Sequence, residues 1–195
     1  WSSDVCSSDL AALSASSIVV TVMMLSILPA MGVAQATSVL VGQYLGEKRA
    51  GDAERAVWSG WQVTIIYILT VGLTFVLFPE FYGNWFRNRG DAVMWSKVSQ
   101  MIPWLLIFVA IFTTSDSVNL IFSFSLKGAG DTKFVTIVAL ILPWPLMVLP
   151  AYLFREQPGA VYWAWGAGTV YSMVQALIFW RRFSGGKWKK MSVIN

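Results

Sequence analysis

Residues 11–46, AALSASSIVVTVMMLSILPAMGVAQATSVLVGQYLG, contain no charged side chain. A helix of roughly 20 apolar residues crosses a bilayer, so this run by itself places the chain in a membrane. It lacks the period-two alternation of a barrel strand and reads as helix. Pro29 and Gly32 fall in mid-run. A lost backbone donor and a lost side chain there predict a kink or a local unwinding.

Four more apolar runs follow the first span (12–45), near 57–78, 98–126, 134–154 and 159–180. The expected fold is therefore an all-α polytopic membrane protein with five transmembrane helices. Composition agrees. Of 195 residues, 56% are hydrophobic and 12% charged, and the mean hydropathy is +0.62. A soluble domain carries about a quarter charged residues. Eleven Trp and six Tyr suit two membrane–water interfaces.

The connections set the orientation. Lys48, Arg49 and Arg55 follow the first span, Lys127 and Lys133 follow the third, and Arg181, Arg182, Lys187, Lys189 and Lys190 follow the fifth. The other side holds only Arg87, Arg89, Lys97 and Arg155. Basic residues favour the cytoplasm, so residues 183–195 are expected to be a basic cytoplasmic tail at the headgroup layer, with Trp188 among its lysines. The basic excess flanks apolar spans, which argues against a nucleic-acid partner.

Residues 1–10, WSSDVCSSDL, read codon for codon as a short sequencing adapter, TGG AGT TCA GAC GTG TGC TCT TCC GAT CT, in one frame. Asp4 and Asp9 sit where a secretory signal would be positive. On this reading Cys6, the single cysteine, is foreign, and no thiol chemistry follows from it. Loss of the two aspartates moves the formal net charge from +4 to +6. The remainder, a membrane segment over 11–182 with its tail, is expected to be the C-terminal part of a longer protein.

Between Val98 and Leu126 the one ionisable group is Asp116. Intramembrane acids mark ion or proton pathways by default. Thr113, Asp116, Asn119 and Ser123 share a stripe at helical spacing. Their oxygens suit a hard cation such as Na⁺. The alternative is an Asp that simply bonds a neighbouring helix. Enzyme chemistry has little to work with: there is no His, no native Cys and no second intramembrane acid. GAGDT, residues 128–132, is too short for a nucleotide loop.

LKGAGDTKF, residues 126–134, reads as a tight helical hairpin. Gly128 and Gly130 permit positive φ, Lys127 complements the end of the incoming helix, and Asp131 is placed to cap the outgoing one. In PAMGVAQATSVLVGQYLGEKRAGDAERA, residues 29–56, Gly42 and Gly46 have the GxxxG spacing of close helix contacts. Gln35 and Gln43 add amides, and Gln35 faces either a cavity or a neighbouring helix.

The pattern P-x-x-G-x-A-x-A-T-S-V-L-V-G-Q-x-L-G, from Pro29 to Gly46, resembles the second helix of the C-terminal half of the MATE (multidrug and toxic-compound extrusion) family. S-D-S-V-N-x-x-x-S-x-S-L-K-G-A-G-D-T-K-F, from Ser115 to Phe134, resembles the end of its tenth helix and the next loop. The resemblance covers residues 11–195. It implies helices eight to twelve of a twelve-helix transporter, which is most of one six-helix lobe, in the bacterial inner membrane. It also implies an antiporter that exports organic cations or amphipathic compounds against Na⁺ or H⁺, without a further cofactor. Its partners would be the small-molecule substrate, membrane lipids and the missing N-terminal lobe. Asp116 then matches an acid of the cation-coupling site, with Gln35 on the substrate path. Some members have an aromatic hydroxyl one turn earlier, where Phe112 stands here. Two further acids of the family would lie upstream of Ala11. The alternatives are a flippase of the same superfamily for lipid-linked sugars, whose cavities are strongly basic, and a non-transporting assembly subunit, which leaves the polar stripe unexplained.

Overall fold

In the computed structural model, residues 2–86, 92–157 and 159–190 are described, with side chains from residue 10 onward except 92–94 and 190. Arg87, Arg89, the Lys190 side chain and the last five residues of the tail lie outside this set. The chain forms α1 (Ser2–Gly46), α2 (Ala50–Leu77), α3 (Pro79–Trp85), α4 (Ala92–Gly128), α5 (Thr132–Ile141), a π-helical turn (Trp144–Val148), α6 (Leu149–Leu153), α7 (Ala160–Ser184) and a 3₁₀ turn (Lys187–Lys190). Among the described residues there is no strand.

α1, α2, α4 and the composite Thr132–Leu153 segment are long and apolar enough to cross a membrane. α7 is long enough, at 25 residues, but less apolar. Its Thr169, Ser172 and Gln175 turn inward and are buried. The outer faces are apolar instead: Ile66, Leu73, Ile137, Leu140 and Val170 are all exposed. Apolar groups outside and polar groups inside is the arrangement lipid demands.

Helix continuity differs from expectation at two places. α1 passes through Pro29 and Gly32 as one helix, without the anticipated unwinding. The fourth span, read as one helix over 134–154, is interrupted. Pro143, Pro145 and Pro150 each lack a backbone donor, and each ring crowds the carbonyl four residues earlier. The segment relieves this by widening to a π turn, in which the Leu149 amide reaches back to the Trp144 carbonyl.

α4 is the central helix, packed on α1, α2 and α7. Its contact with α1 is set by Gly128. A Cβ there would overlap the Ser38 carbonyl oxygen, and one on Gly42 would sit 3.4 Å from the Gly128 oxygen. Gly128 therefore serves close approach and not the positive φ expected of it; Gly130 alone in that turn has positive φ, at 89°. Gly46, the other half of the GxxxG pair, has nothing within 4 Å of its would-be Cβ. Gly60 of α2 closes against the Thr37 hydroxyl of α1 in the same way.

Two apolar clusters fill the interior. One, near the ends rich in basic residues, joins Val41, Val57, Phe122, Leu126, Phe179 and Phe183. The other joins Val19, Phe75, Ile102, Leu105, Leu106 and Val109. The turn after α4 is tied down by side chains. Asp131 occupies the cap position of α5, yet its carboxylate makes no capping bond. It accepts from Arg182 Nε at 2.7 Å instead, and the Arg182 guanidinium lies over Phe134 at 4.6 Å. The Asp131 hydrogen bond raises the Arg182 pKa further above its ordinary value, so the charge is permanent. A partly desolvated ion pair outweighs a single N-cap bond. Trp188 departs from the headgroup position expected of it. It is buried, stacks on Phe183 at 4.8 Å and donates Nε1–H to the Phe183 carbonyl. Lys189 pairs with Glu54 of α2 at 2.6 Å.

Gly128→Ala should cost about 1–3 kcal/mol by overpacking, seen as a lower thermal midpoint of the protein in detergent. Gly32→Ala, with open space at its Cβ, should cost nothing. Equal midpoints would show that the α1–α4 contact does not constrain the fold. Arg182→Gln should free the 128–131 turn, so that trypsin cuts after exposed Lys127 several-fold faster. Unchanged cleavage would mean that the ion pair does not hold the turn.

Candidate functional site

The two apolar clusters leave a polar belt between them. On α4 the lower cluster ends near Ala110 and the upper begins at Val118, and Thr113, Asp116 and Ser117 fall between. On α2, Trp61 and Val71 bracket Thr64; on α7, Trp165 and Ile178 bracket Thr169, Ser172 and Gln175. The belt thus draws on three helices at one depth. Asp116 is its only carboxylate.

Asn119, one turn after Asp116, organises the belt. Its Nδ2 donates to Asp116 Oδ1 at 3.0 Å and to Gln175 Oε1 of α7 at 3.0 Å. Gln175 is buried, and Tyr171, one turn earlier on α7, interacts electrostatically with Asp116. The chain of hydrogen bonds runs Asp116–Asn119–Gln175 and crosses from α4 to α7. Among the described residues no ion pair involves Asp116. Asn119 Oδ1, Ser172 Oγ and Thr64 Oγ1 are buried oxygens with no hydrogen-bond partner. Such atoms are rare, and each leaves acceptor capacity unused.

The stripe expected on α4 is present as a face, but its four members do not act together. Thr113 is buried and spends its hydroxyl on the Val109 carbonyl at 2.8 Å. Ser123 donates to the Leu120 carbonyl at 3.2 Å. Only Asp116 and Asn119 bond each other. Gln35 is exposed on α1 and takes no part in the belt. Gly128, Gly130 and Asp131 belong to the turn at the basic end.

Sequence reasoning passed over Gln175, Ser172 and Tyr171. A signal was there: Thr169, Ser172 and Gln175 recur every three residues in a span otherwise apolar. Phe112 supplies no hydroxyl. An open, mostly apolar groove lined by Leu69, Leu73, Ile111, Thr114, Ser115 and Met173 begins beside the belt. Among the described residues no three His, Cys, Asp or Glu gather to hold a metal. One carboxylate with neutral oxygens suits a proton or a weakly held monovalent cation better than a tightly chelated divalent ion.

The chain is 28% identical over 176 residues to a probable multidrug resistance protein NorM of Thermotoga maritima, covering 87% of this chain and 36% of the relative. A probable multidrug resistance protein NorM of Mesorhizobium japonicum is 28% identical over 177 residues, covering 89% and 37%. An uncharacterized transporter, YisQ, of Bacillus subtilis is 27% identical over 159 residues, covering 80% and 33%. The chain thus spans about a third of the length of these relatives. A solved structure, the outward-facing conformation of a multidrug resistance MATE family transporter of the MOP superfamily, superposes with a TM-score of 0.72 at 21% identity over 95% of this chain and 44% of its own. That likeness carries the fold. The MatE family profile matches residues 5–153, more than half of the sequence, and the chain belongs to the MatE family of membrane transporters.

Proposed function

We propose that the whole protein carrying this segment is a secondary antiporter, not an enzyme, that exports organic cations or amphipathic compounds in exchange for Na⁺ or H⁺. Family membership supports the transporter class. The observation that carries the coupling reading is Asp116 itself, an acid at mid-depth bonded to a neutral amide. A carboxylate paired with Arg would be neutralised for good; one bonded to an amide still favours a cation. Ion binding at Asp116 and substrate binding between the lobes would favour opposite conformations, and alternating access would exchange them.

Thr113, one turn before Asp116, would add its hydroxyl oxygen to the site, and Ser123, two turns beyond Asp116, extends the same polar face of α4. Gln35, exposed on α1 beside exposed Met31 and Val39, is read as facing the substrate path toward the other lobe. The Asp131–Arg182 and Glu54–Lys189 pairs gather the two basic loops and the tail at one end. This supports a cytoplasmic C-terminus in a bacterial inner membrane, since clustered basic residues stay on that side. The lone intramembrane acid disfavours the flippase, whose anionic substrate calls for a basic cavity.

In the full-length protein, Asp116→Asn should lower ion-driven efflux of a fluorescent organic cation from proteoliposomes at least tenfold, with the protein still in the membrane. Export at the normal rate, still responding to the ion gradient, would refute the coupling role.

A further inference from the structure

The α4–α7 contact at mid-depth goes beyond holding two helices together. Asn119 has one amide group with two ends. Its nitrogen meets two acceptors, on Asp116 and on Gln175, both at 3.0 Å. Its oxygen is buried and meets nothing. An ionised carboxylate only accepts, so the bond to Asp116 requires the nitrogen end to face it. Gln175 strengthens the same choice by taking the second proton. Gln175 is itself buried, so its side chain has little room to move. Without Gln175 the Asn119 amide would be free to rotate, and its oxygen could turn to other donors. With Gln175 in place the oxygen is kept unpaired, a few ångströms from the carboxylate, in a belt where unused acceptors are costly.

We propose that Gln175 is a positioning residue for the ion site: it fixes the Asn119 amide so that Asn119 Oδ1 remains free to join Asp116 in holding a monovalent cation or a hydronium ion. This rests on the coupling reading of Asp116. Tyr171 is the titratable group of α7 with an electrostatic interaction with Asp116, and no Lys or Arg pairs with Asp116 among the described residues. The α7 contribution makes the site a joint property of two helices. Ion occupancy would then be felt along α7, whose last turn carries Arg182.

The test uses the full-length protein in proteoliposomes, with export measured against Na⁺ concentration and against pH. Gln175→Met keeps the length and removes the acceptor. It should raise the half-saturating concentration of the driving ion about tenfold, the worth of one hydrogen bond acting on a charged site. The maximal rate at saturating ion should change less than twofold. In an Asn119→Ala background, Gln175→Met should have no further effect, because it acts through Asn119. A packing role would give the same loss in both backgrounds, and that result overturns the proposal. So does an unshifted half-saturation in Gln175→Met. Gln175→Leu, which also lacks the acceptor, serves if the Met variant does not accumulate. Asp116→Asn with normal ion dependence would sink the coupling reading itself. Asp116→Asn inactive with Gln175→Met unshifted sinks only the role of Gln175.

Discussion

The backbone contact at Gly128 governs the arrangement of the interior. No side chain stands between that glycine and the Ser38 carbonyl, so the backbones of α1 and α4 come together closely there. In lipid there is little hydrophobic gain from bringing apolar helices together, and close van der Waals packing at small residues supplies the attraction. α4 is also the helix on which α2 and α7 pack. Fixing its end against α1 therefore fixes the depth at which Phe122 meets Trp58 and Phe183. The register of those aromatic contacts decides which residues fall between the two apolar clusters. Asp116, Thr64 and Gln175 share one level because α2, α4 and α7 are locked at both ends.

A belt of this kind has a high cost if it is only structural. A buried carboxylate loses its hydration, and a hydrogen-bonded amide returns only part of that. Three further oxygens in the same belt go unpaired. An interior built for stability alone would fill these positions with Leu, Val or Phe, as the clusters on either side do. The cluster Asp116–Asn119–Gln175 adds little to stability, whereas the ion site proposed here would use such spare acceptors. Weak, reversible holding calls for neutral oxygens around one charge, and that is the composition found.

Much of this was legible in the sequence, for reasons that differ by element. The uncharged run 11–46 and the charges between spans report on each helix by itself, and lipid leaves a long apolar segment no choice but helix. Asp116 stood out because one charge in a long span is a local anomaly. The fourth span misled because hydropathy counts Pro as tolerable, while the backbone at Pro143, Pro145 and Pro150 does not. Gly128 and Asp131 were legible as a turn, but their actual partners, Ser38 and Arg182, are far away in sequence. Gln175 escaped for the same reason. A neutral amide in an apolar span carries no charge to attract notice, and its meaning depends on Asn119, 56 residues earlier. Single-helix physics was readable; pairings between helices were not.

α7 links the belt to the basic end of the molecule. At mid-depth Gln175 is bonded to Asn119; two turns later Arg182 grips Asp131, and beyond it Trp188 is folded under Phe183 while Lys189 reaches Glu54. These attachments involve α4, the α4–α5 turn and α2 in turn. A rigid helix held at both heights cannot shift at one without straining the other, since packed interiors move between discrete arrangements and do not deform smoothly. The bond from Gln175 to Asn119 is the weakest of the set, a single neutral contact, while the basic end is fixed by two ion pairs and a buried tryptophan. If Asp116 changes its partner, the adjustment is therefore expected at the belt and toward the far end of α7, where Trp165 is joined to Ser16 by one 3.3 Å bond.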